Sequence, residues 1–490
     1  MNQTKQFNIL LLMADKGITL DTTYLVIGGG IAGVTCVETL AILHPEETLV
    51  MVTASSLVKN VSNVSFFAKT VVKFDVNETE ASSLQRIHPN LNIVYDSLQS
   101  VNTKNKFAIT SNGTVIKYGV ICICTGGIPK LISESSKSKR VLGIRDTESV
   151  QEFQEKLKTG RKMVIVGNGG IASEIVHATR GIQKVWVIRD DYISSTFIDP
   201  GAAEFFQNTF RRKTSEADPP KHIISRRHVF SEEDTVVALN KDLKSAALGP
   251  DWFRKLEDIK NETGEQELDI IYKTEIESIN EFQDKEYPLQ VKLTNGRTVL
   301  CDFVISATGV EPAVNFLWDQ QPTHGPDGGL AVNEFQETSV RDVFAAGDVA
   351  HAAWTHAPHW FQLRLWTQAR QMAAMAAKSM HARTTNQEVL QDFCFELFTH
   401  CTTLFGYRVV LLGKYNGQGL GTDYEILLRT TPCLEYVKFV LQNGRLQGAI
   451  LVGETDLEEM CENLILDQID LSPFGDDILN PDIDIDDYFD

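Results

Sequence analysis

Two glycine-rich turns, each between an apolar strand and a helix, constrain this chain of 490 residues more than any other feature. The first turn, Gly28–Gly33, follows the apolar run Tyr24–Ile27, and the second, Gly167–Ala172, follows Met163–Val166. In such a turn the first glycine permits a tight bend, the second lets amides approach a pyrophosphate, and the third lets helix and strand pack closely. The helix that follows directs its amino terminus at the phosphates. Two such turns predict two dinucleotide sites and favour electron transfer between them.

A further pattern assigns the first turn to FAD. The segment Thr338–Asp348 places a threonine, an apolar strand and then Ala-Ala-Gly-Asp. At the end of that strand the carboxylate of Asp348 can accept a hydrogen bond from a ribityl hydroxyl of FAD, and Gly347 keeps the backbone near the flavin chain. Each dinucleotide unit also closes with an apolar strand that ends in Thr-Gly, at residues 125–126 and 308–309.

The order of these motifs over residues 24–380 resembles the pyridine nucleotide-disulphide oxidoreductase family, the flavoproteins with two dinucleotide-binding domains. The resemblance implies FAD at the first site and NADH or NADPH, as electron donor, at the second. Thr53 stands where an acidic residue usually holds the adenine ribose, and Lys59 where several relatives place a lysine near flavin N5. The residues expected to contact FAD are Gly28, Gly30, Ile31, Ala32, Gly33, Thr53, Ser55, Lys59, Thr125, Gly126, Gly347 and Asp348.

The resemblance also implies the fold class and the domain order. We expect an α/β protein in which an FAD-binding Rossmann-like domain contains an inserted NAD(P)-binding Rossmann-like domain, followed by a small carboxyl-terminal α+β domain and an acidic tail. The predicted boundaries are an extension at 1–23, the FAD domain at 24–150 and 313–385, the NAD(P)H domain at 151–312 with an irregular insertion at about 197–263, the α+β domain at 386–471, and the tail at 472–490.

At the second site the choice of nucleotide is expected to depend on the end of the second strand. Arg189 favours the 2′-phosphate of NADPH, whereas an acidic residue would favour the free 2′-hydroxyl of NADH, and Asp190 lies beside it. The sequence therefore favours NADPH and leaves both nucleotides open. The residues expected to contact the nicotinamide nucleotide are Gly167, Gly169, Gly170, Ile171, Glu174, Arg189, Thr308 and Gly309.

The eight cysteines decide the predicted reaction class. The disulphide reductases of the family carry a cysteine pair shortly after the second strand, but the corresponding stretch here, residues 55–69, contains none. Cys122 and Cys124 lie two apart on one strand and face the same side, so we interpret them as not a resolving pair, and Cys36 as a core residue. No cysteine spacing matches a zinc site. Electrons are therefore expected to leave the flavin directly, and no acid or base residue is predicted.

The charge distribution restricts the partners. The net charge is −19, and the 14 acidic residues from Glu454 onward account for −14 of it, because no lysine or arginine follows Arg445. Nucleic-acid binding needs clustered basic residues, so direct contact with nucleic acid is not expected. No apolar stretch approaches the roughly 20 residues of a membrane span, so no membrane segment is expected either.

Additional strings point to one eukaryotic subgroup of the family. Among them are Val141–Thr147, Ala246–Trp252 and Leu365–Met372. The resemblance implies an oxidoreductase of the nucleus and cytoplasm that lacks the redox-active cysteines and is linked to the tRNA ligase complex, which it would protect from oxidation. The electron acceptor and the oligomeric state are left open.

Three interpretations of function follow. The first is an FAD-dependent NAD(P)H oxidoreductase that passes electrons from reduced flavin directly to an external acceptor. The second is a slowly reoxidised flavoprotein whose nucleotide-loaded form binds or shields a partner. The third is a thiol reductase that acts on cysteines of a partner. The first is preferred because the chain has both dinucleotide motifs and no cysteine beside the expected flavin.

Overall fold

The computed structural model describes residues 19–134, 138–144, 147–212, 224–229, 268–282 and 286–480. Within these residues the chain forms two units built on parallel strands and one antiparallel carboxyl-terminal unit. This arrangement confirms the α/β class with a further, strand-rich carboxyl-terminal domain. The described residues contain no helix that is both long and apolar enough to cross a membrane.

Strands and helices are numbered here in chain order. The first stretch contains β1 (Thr19–Ile27), α1 (Ile31–Leu43), β2 (Leu49–Thr53), β3 (Leu57–Phe66), β4 (Val72–Glu80), α2 (Ala81–Ile87), β5 (Leu91–Tyr95), β6 (Leu98–Asn102), β7 (Phe107–Thr110), β8 (Val115–Ile123) and β9 (Gly127–Pro129). The second contains β10 (Val141–Gly143), α3 (Thr147–Thr159), β11 (Lys162–Val166), α4 (Gly170–Ala178), β12 (Gln183–Val187), α5 (Pro200–Arg212), β13 (Ile224–Val229), β14 (Leu268–Ile271), β15 (Ile276–Glu281), β16 (Leu289–Leu293), β17 (Thr298–Cys301), β18 (Phe303–Ser306) and β19 (Val310–Pro312).

The remaining elements return to the first unit and then build the third. The return stretch contains β20 (Leu317–Trp318), β21 (Leu330–Val332), β22 (Val343–Ala345), β23 (Ala350–Ala352) and α6 (Trp366–Thr385). The carboxyl-terminal stretch contains a 3₁₀ turn (Phe393–Phe395), β24 (Thr399–Leu404), β25 (Tyr407–Gly413), β26 (Glu425–Thr431), β27 (Glu435–Gln442), β28 (Arg445–Val452), α7 (Glu458–Asp467) and a 3₁₀ helix (Ser472–Leu479).

The two dinucleotide units share a plan in which a glycine turn lies at the end of a central parallel strand. In the first unit β1 pairs in parallel with both β2 and β8, and the sheet runs β20-β6-β7-β8-β1-β2-β5 with β22 also on β8. In the second unit β11 pairs in parallel with β12 and β18 in the order β10-β18-β11-β12-β14. Strands such as β2 and β18 are buried along their whole length, as expected where helices cover both faces. Because parallel strands end at one edge, each glycine turn meets the Thr-Gly end of its neighbour there.

The carboxyl-terminal unit is an antiparallel sheet in the order β13-β26-β27-β28-β25-β24. Its apolar side chains share cores with both other units: Phe405 and Tyr415 pack with Phe206 of the second unit, and Leu397 and Val410 pack with Val71 of the first. The third unit therefore holds the other two together.

Two buried polar contacts hold the third unit against the other two, one at the first unit and one at the second. The carboxylate of Glu462 on α7, 1% exposed, accepts hydrogen bonds from the amides of Lys69 and Thr70 at the turn between β3 and β4. At the other junction the ammonium of Lys438 on β27, 2% exposed, forms an ion pair with Asp199, which precedes α5. Burial alone would raise the pKa of Asp199, but the charge and hydrogen bond of Lys438 hold it below its usual range.

The predicted domain boundaries need correction at the amino-terminal side of both dinucleotide units. Strand β1 begins at Thr19, not Tyr24, because residues 19–22 continue the parallel pairing with β8. The segment Val141–Gly143, placed by the prediction before the second domain, pairs with β18 and therefore belongs to the second sheet. Both segments are short, with four residues before Thr23 and three at Val141–Gly143, so strand pairing rather than local pattern determines them.

The insertion and the tail also differ from prediction. Of the insertion, β13 (Ile224–Val229) pairs with β26, so this part of residues 197–263 extends the carboxyl-terminal sheet. The predicted tail at 472–490 begins with the 3₁₀ helix Ser472–Leu479, in which Ile478 and Leu479 are buried against the third unit. The prediction of a tail rested on the many acidic residues of this segment and did not take account of the apolar side chains between them. The last ten residues lie outside the described part of the chain.

Removing the charge of Asp199 should destabilise the protein more than removing that of Lys438. In Asp199→Asn the buried ammonium loses its counter-charge, which costs about 3–5 kcal/mol in a buried pair. In Lys438→Met the buried charge is itself removed, and the Asp199 carboxylate, 17% exposed, keeps the hydrogen bond from the Tyr436 hydroxyl at 3.0 Å. The thermal unfolding midpoint should fall most in Asp199→Asn and recover in the double variant; equal losses in the two single variants would contradict this.

Candidate functional site

The first glycine turn opens onto a cavity of about 580 Å³. Its floor is the turn and the amino terminus of α1, and its sides are the ends of β2 and β8, the β3–β4 hairpin and the Gly-Asp box. The predicted FAD residues that line it are Gly28, Gly30, Ile31, Ala32, Thr53, Ser55, Lys59, Thr125, Gly126, Gly347 and Asp348. A cavity of this size suits a large ligand.

The backbone of the turn has the geometry of a phosphate cradle. Gly28 adopts a φ of +125°, and a Cβ there would lie 2.1 Å from the carbonyl oxygen of Cys124, so only glycine fits. Gly30, at the amino terminus of α1, has no atom within 4 Å of where its Cβ would be. Gly33 does not line the cavity; a Cβ there would lie 1.8 Å from the Gly28 carbonyl oxygen. Gly33 therefore serves helix packing, and the open space at Gly30 admits a pyrophosphate.

Thr53 lines this cavity at the end of β2. Its side chain is buried, and its hydroxyl donates to the carbonyl of Ser55 at 3.0 Å. A Cβ on Gly29 would lie 2.4 Å from this hydroxyl oxygen, so Thr53 also supports the turn. Because its proton is already used, Thr53 has only lone pairs left for a ribose hydroxyl. A hydrogen bond donated by Thr53 to the ribose would require its hydroxyl to leave the Ser55 carbonyl.

The stretch that holds cysteines in disulphide reductases is here an antiparallel β-hairpin, β3–β4. Lys59 and Glu78 are cross-strand partners in it, and both line the first cavity. The amide of Lys59 donates to the Gly29 carbonyl at 3.1 Å, and its ammonium lies 5.8 Å from the ring centre of Trp366. The hairpin therefore holds a lysine beside the glycine turn, in contact with an aromatic ring that lines the same cavity.

Sequence reasoning missed a charged group that anchors the Gly-Asp box. Arg364, which lines the first cavity, donates from Nε to the carbonyl of Asp348 at 3.0 Å and forms an ion pair with Asp327. His351 lies 3.1 Å from the same carboxylate. Burial alone would raise the pKa of Asp327, but the Gly329 amide, Arg364 and His351 together lower it. No sequence motif surrounds Arg364 or Asp327, so only the fold reveals this link.

The second glycine turn opens onto a cavity of about 400 Å³. The predicted nucleotide residues that line it are Gly167, Gly169, Arg189, Thr308 and Gly309. Gly167 repeats the geometry of Gly28: its φ is +127°, and a Cβ there would lie 2.1 Å from the Ala307 carbonyl oxygen. The two turns are thus built in the same way.

Within the second turn Asn168 organises the loop that follows β12. Its side-chain amide donates to Asp190 at 2.8 Å, to the carbonyl of Tyr192 at 2.8 Å and to Ser195 at 2.9 Å. Ser195 donates to the same Asp190 oxygen at 2.7 Å. The carboxylate of Asp190 is therefore fixed on the cavity wall. The side chain of Arg189 is 72% exposed, and its nearest carboxylate is that of Glu275 at 3.9 Å.

Three predicted nucleotide residues lie elsewhere. Ile171 lines the first cavity, together with Ile144 and Val310 of the second unit. Gly170 begins α4, and neither it nor Glu174 lines either cavity. A nicotinamide nucleotide can therefore contact Ile171 only if the nicotinamide end of the nucleotide extends into the first cavity. The second unit forms part of the wall of the first cavity.

Three cysteines lie together behind the first cavity. Cys122 and Cys124 face the same side, as predicted, and their sulfurs are 3.5 Å apart. Cys36 on α1 interacts with both thiols, and all three side chains are buried. Hydrogen bonds from Cys122 and Cys36 lower the pKa of Cys124, although burial opposes this. Of the three, only Cys124 lines the cavity.

Comparison with known proteins agrees with the geometry. Residues 22–373 match the family model described as pyridine nucleotide-disulphide oxidoreductase. A Drosophila melanogaster protein called pyridine nucleotide-disulfide oxidoreductase domain-containing protein 1 is 48% identical over 476 residues, 95% of this chain and 99% of the relative. The Homo sapiens protein of that name is 43% identical over 493 residues, 95% of this chain and 98% of its own length.

Solved structures support the fold. The covalent putidaredoxin reductase–putidaredoxin complex aligns with a TM-score of 0.65 at 15% identity, covering 94% of this chain and 97% of the other. A water-forming NADH oxidase from Lactobacillus brevis, bound to NADH, aligns with a TM-score of 0.64 at 14% identity, covering 92% of each chain. The chain therefore belongs to the pyridine nucleotide-disulphide oxidoreductase family, whose cofactors are FAD and NADH or NADPH.

Proposed function

We propose that this protein is an FAD-dependent NAD(P)H oxidoreductase that passes electrons from the flavin directly to an external acceptor, without an internal cysteine pair. The observation that carries the proposal is the shared first cavity. Its glycine turn and Gly-Asp box belong to the first unit, and Ile144, Ile171 and Val310 belong to the second. A nucleotide on the second unit is thereby directed toward a flavin on the first.

Each group of residues has a defined task in this proposal. The open turn at Gly30 and the amino terminus of α1 receive the pyrophosphate of FAD, and Asp348 receives a ribityl hydroxyl. Ile171 and Val310 exclude water where the two nucleotides meet. Lys59 places a positive charge in the cavity. Bound FAD supplies the hydride chemistry between nicotinamide and acceptor.

The absence of an internal thiol relay is supported by the sequence and geometry of the β3–β4 hairpin. Residues 55–69 contain no cysteine. Cys122 and Cys124 lie behind the glycine turn, on β8 and at its end, so their sulfurs occupy a different wall from the hairpin. Electrons that enter the flavin are therefore proposed to leave by direct transfer. A thiol reductase acting on a partner's cysteines remains the rival that this geometry does not favour.

Contrary to the NADPH preference that Arg189 suggested in the sequence, we further propose that NADH is preferred to NADPH. The wall of the second cavity carries three carboxylates, Glu134, Asp190 and Glu275, and two cationic side chains, Lys130 and Arg189; the Arg189 side chain is 72% exposed. A 2′-phosphate would face a net negative wall, whereas a ribose diol can donate to Asp190. An engineered NADPH oxidase, whose fold is similar at 15% identity, has an aspartate changed to alanine and the next residue to arginine.

Protection of a tRNA ligase complex from oxidation, in the nucleus and cytoplasm, is part of the proposal. It rests on the resemblance of the sequence strings described above. A nucleotide-loaded flavoprotein that is reoxidised slowly would serve the same purpose by binding or shielding its partner. Stopped-flow reoxidation of the reduced protein distinguishes the two, because turnover requires an acceptor that accelerates reoxidation.

An anaerobic dithionite titration should fully reduce the flavin with one two-electron equivalent per FAD. An internal disulphide that exchanges electrons with flavin would require a second equivalent before bleaching is complete. The measurement is visible absorbance against added reductant. Consumption of two equivalents by the wild type would contradict the direct path, and the Cys122→Ser variant would then show whether the extra acceptor is the pair behind the turn.

Replacing Asp190 should shift nucleotide preference toward NADPH. Asp190→Asn keeps the shape of the side chain but removes the charge that faces the ribose. We expect the ratio of kcat/KM for NADPH to that for NADH to rise about tenfold, or ~1.4 kcal/mol. The matched control is Asp191→Asn, because Asp191 is exposed and pairs with Lys273. An equal change in both variants would mean that long-range charge alone is responsible.

Replacing Lys59 should slow flavin reduction by NADH. The ammonium beside the cavity stabilises negative charge as electrons enter, and its loss in Lys59→Met should reduce the single-turnover rate about tenfold. Lys59→Arg should retain most of the rate. Lys73→Met provides the control, since Lys73 lies on the same hairpin and does not line the cavity. A normal rate in Lys59→Met would exclude this role.

A further inference from the structure

The three cysteines behind the first cavity form an arrangement that the proposed oxidoreductase reaction does not use. The sulfurs of Cys122 and Cys124 are 3.5 Å apart, within reach of disulphide formation after a small movement. Cys36 packs from α1 on the other side, with its sulfur 4.0 Å from that of Met380. Most buried cysteines are isolated core residues. Here three thiols pack together in the core, and one of the three residues, Cys124, lines the cavity.

The position of Cys124 links this cluster to the glycine turn. Its carbonyl oxygen lies 2.1 Å from where a Cβ of Gly28 would be, and its own Cβ lies 3.6 Å from where a Cβ of Gly33 would be. Its amide donates to the Ile27 carbonyl at 2.8 Å. Cys124 is therefore packed against both ends of the turn, and a movement of its backbone must displace that turn.

Contrary to the interpretation from the sequence that they are not a resolving pair, we propose that Cys122 and Cys124 form a hydroperoxide-sensitive thiol pair that bound FAD shields from oxidation. The inference rests on the placement of FAD in the first cavity. With FAD bound, the ligand covers the wall to which Cys124 contributes. With FAD released, a small hydroperoxide can enter the cavity that Cys124 lines. Cys122 and Cys36 donate hydrogen bonds that favour the thiolate there, which is the reactive form.

The chemistry balances without a metal or a second protein. The Cys124 thiolate attacks one oxygen of hydrogen peroxide; the O–O bond breaks, and with one proton the products are the sulfenic acid and water. The Cys122 thiol then attacks the Cys124 sulfur, the S–O bond breaks, and a second water leaves with the proton of Cys122. Two thiols are oxidised to a disulphide, and one peroxide is reduced to two waters.

Oxidation should weaken FAD rebinding. The disulphide requires the two sulfurs to approach from 3.5 Å to about 2.05 Å. Cys124 must then shift, and the Gly28 turn has no free space against its carbonyl. The oxidised turn no longer presents the same backbone to the pyrophosphate. The pair is thus expected to be a disulphide in protein that has lost its flavin under oxidising conditions and to be reduced in protein that has kept it.

The test exposes purified full-length holoprotein to hydrogen peroxide in buffer without FAD and in buffer with excess FAD. After alkylation, mass spectrometry of the peptide that contains both cysteines measures loss of two hydrogens, and flavin fluorescence measures FAD release. At a free FAD concentration of about 100 Kd the vacant fraction is about one hundredth, so disulphide formation should be about 100-fold slower than in protein that has fully released its FAD. Cys301 is the internal control, because it is buried and lines neither cavity.

Two outcomes would overturn the inference. One is a pair that stays fully reduced in buffer without FAD while the flavin is being released. The other is a pair that oxidises at the same rate with and without excess FAD. A variant with both Cys36→Ala and Cys122→Ala adds a check, since Cys124 then has neither neighbouring thiol and should stop at the sulfenic acid. Bleaching of the flavin by NADH, scored on the same sample, separates failure of this inference from failure of the proposed function.

Discussion

The structure depends on one close contact that is made twice. In each dinucleotide unit the first glycine of the turn presses against the carbonyl oxygen of the residue that ends the neighbouring strand, Cys124 or Ala307. A Cβ at Gly28 or Gly167 would lie 2.1 Å from that oxygen, and both glycines have a φ near +126° that other residues avoid. Because of this contact, each turn packs closely against the end of the neighbouring strand. The space on the other side of the turn is the cavity of that unit.

The carboxyl-terminal unit determines how the two cavities are held relative to each other. Its Glu462 accepts a hydrogen bond from the β3–β4 hairpin, and its Lys438 forms an ion pair with the loop before α5. The hairpin carries Lys59 into the first cavity, and the loop before α5 carries Ser195 and Thr196 into the second. The Tyr415 hydroxyl adds a hydrogen bond to the Thr196 carbonyl at 3.2 Å. One domain therefore supports both binding sites by contacts made outside them.

The sequence was sufficient to predict those parts of the site in which the function requires a particular backbone conformation. Positive φ and close approach leave only glycine, so Gly28 and Gly167 were readable as turns, and the Gly-Asp box was readable from its position after a strand. It was insufficient where a role depends on contacts distant in the chain. Arg364 reaches Asp327 across 37 residues, and β13 joins a sheet whose other strands follow it by about 200 residues. Asn168 lay within a predicted motif, but its role as an anchor for Asp190 required the folded loop.

The central claim is that a nicotinamide nucleotide on the second unit reduces a flavin on the first. The most direct test is rapid anaerobic mixing of purified protein with NADH, followed by the visible absorbance of the flavin. The account predicts that the bound flavin bleaches in a single turnover with one NAD⁺ formed per FAD, and that deuterium at the transferred position of NADH slows the bleaching. Protein that binds NADH but leaves the flavin oxidised, or that contains no flavin, would contradict it.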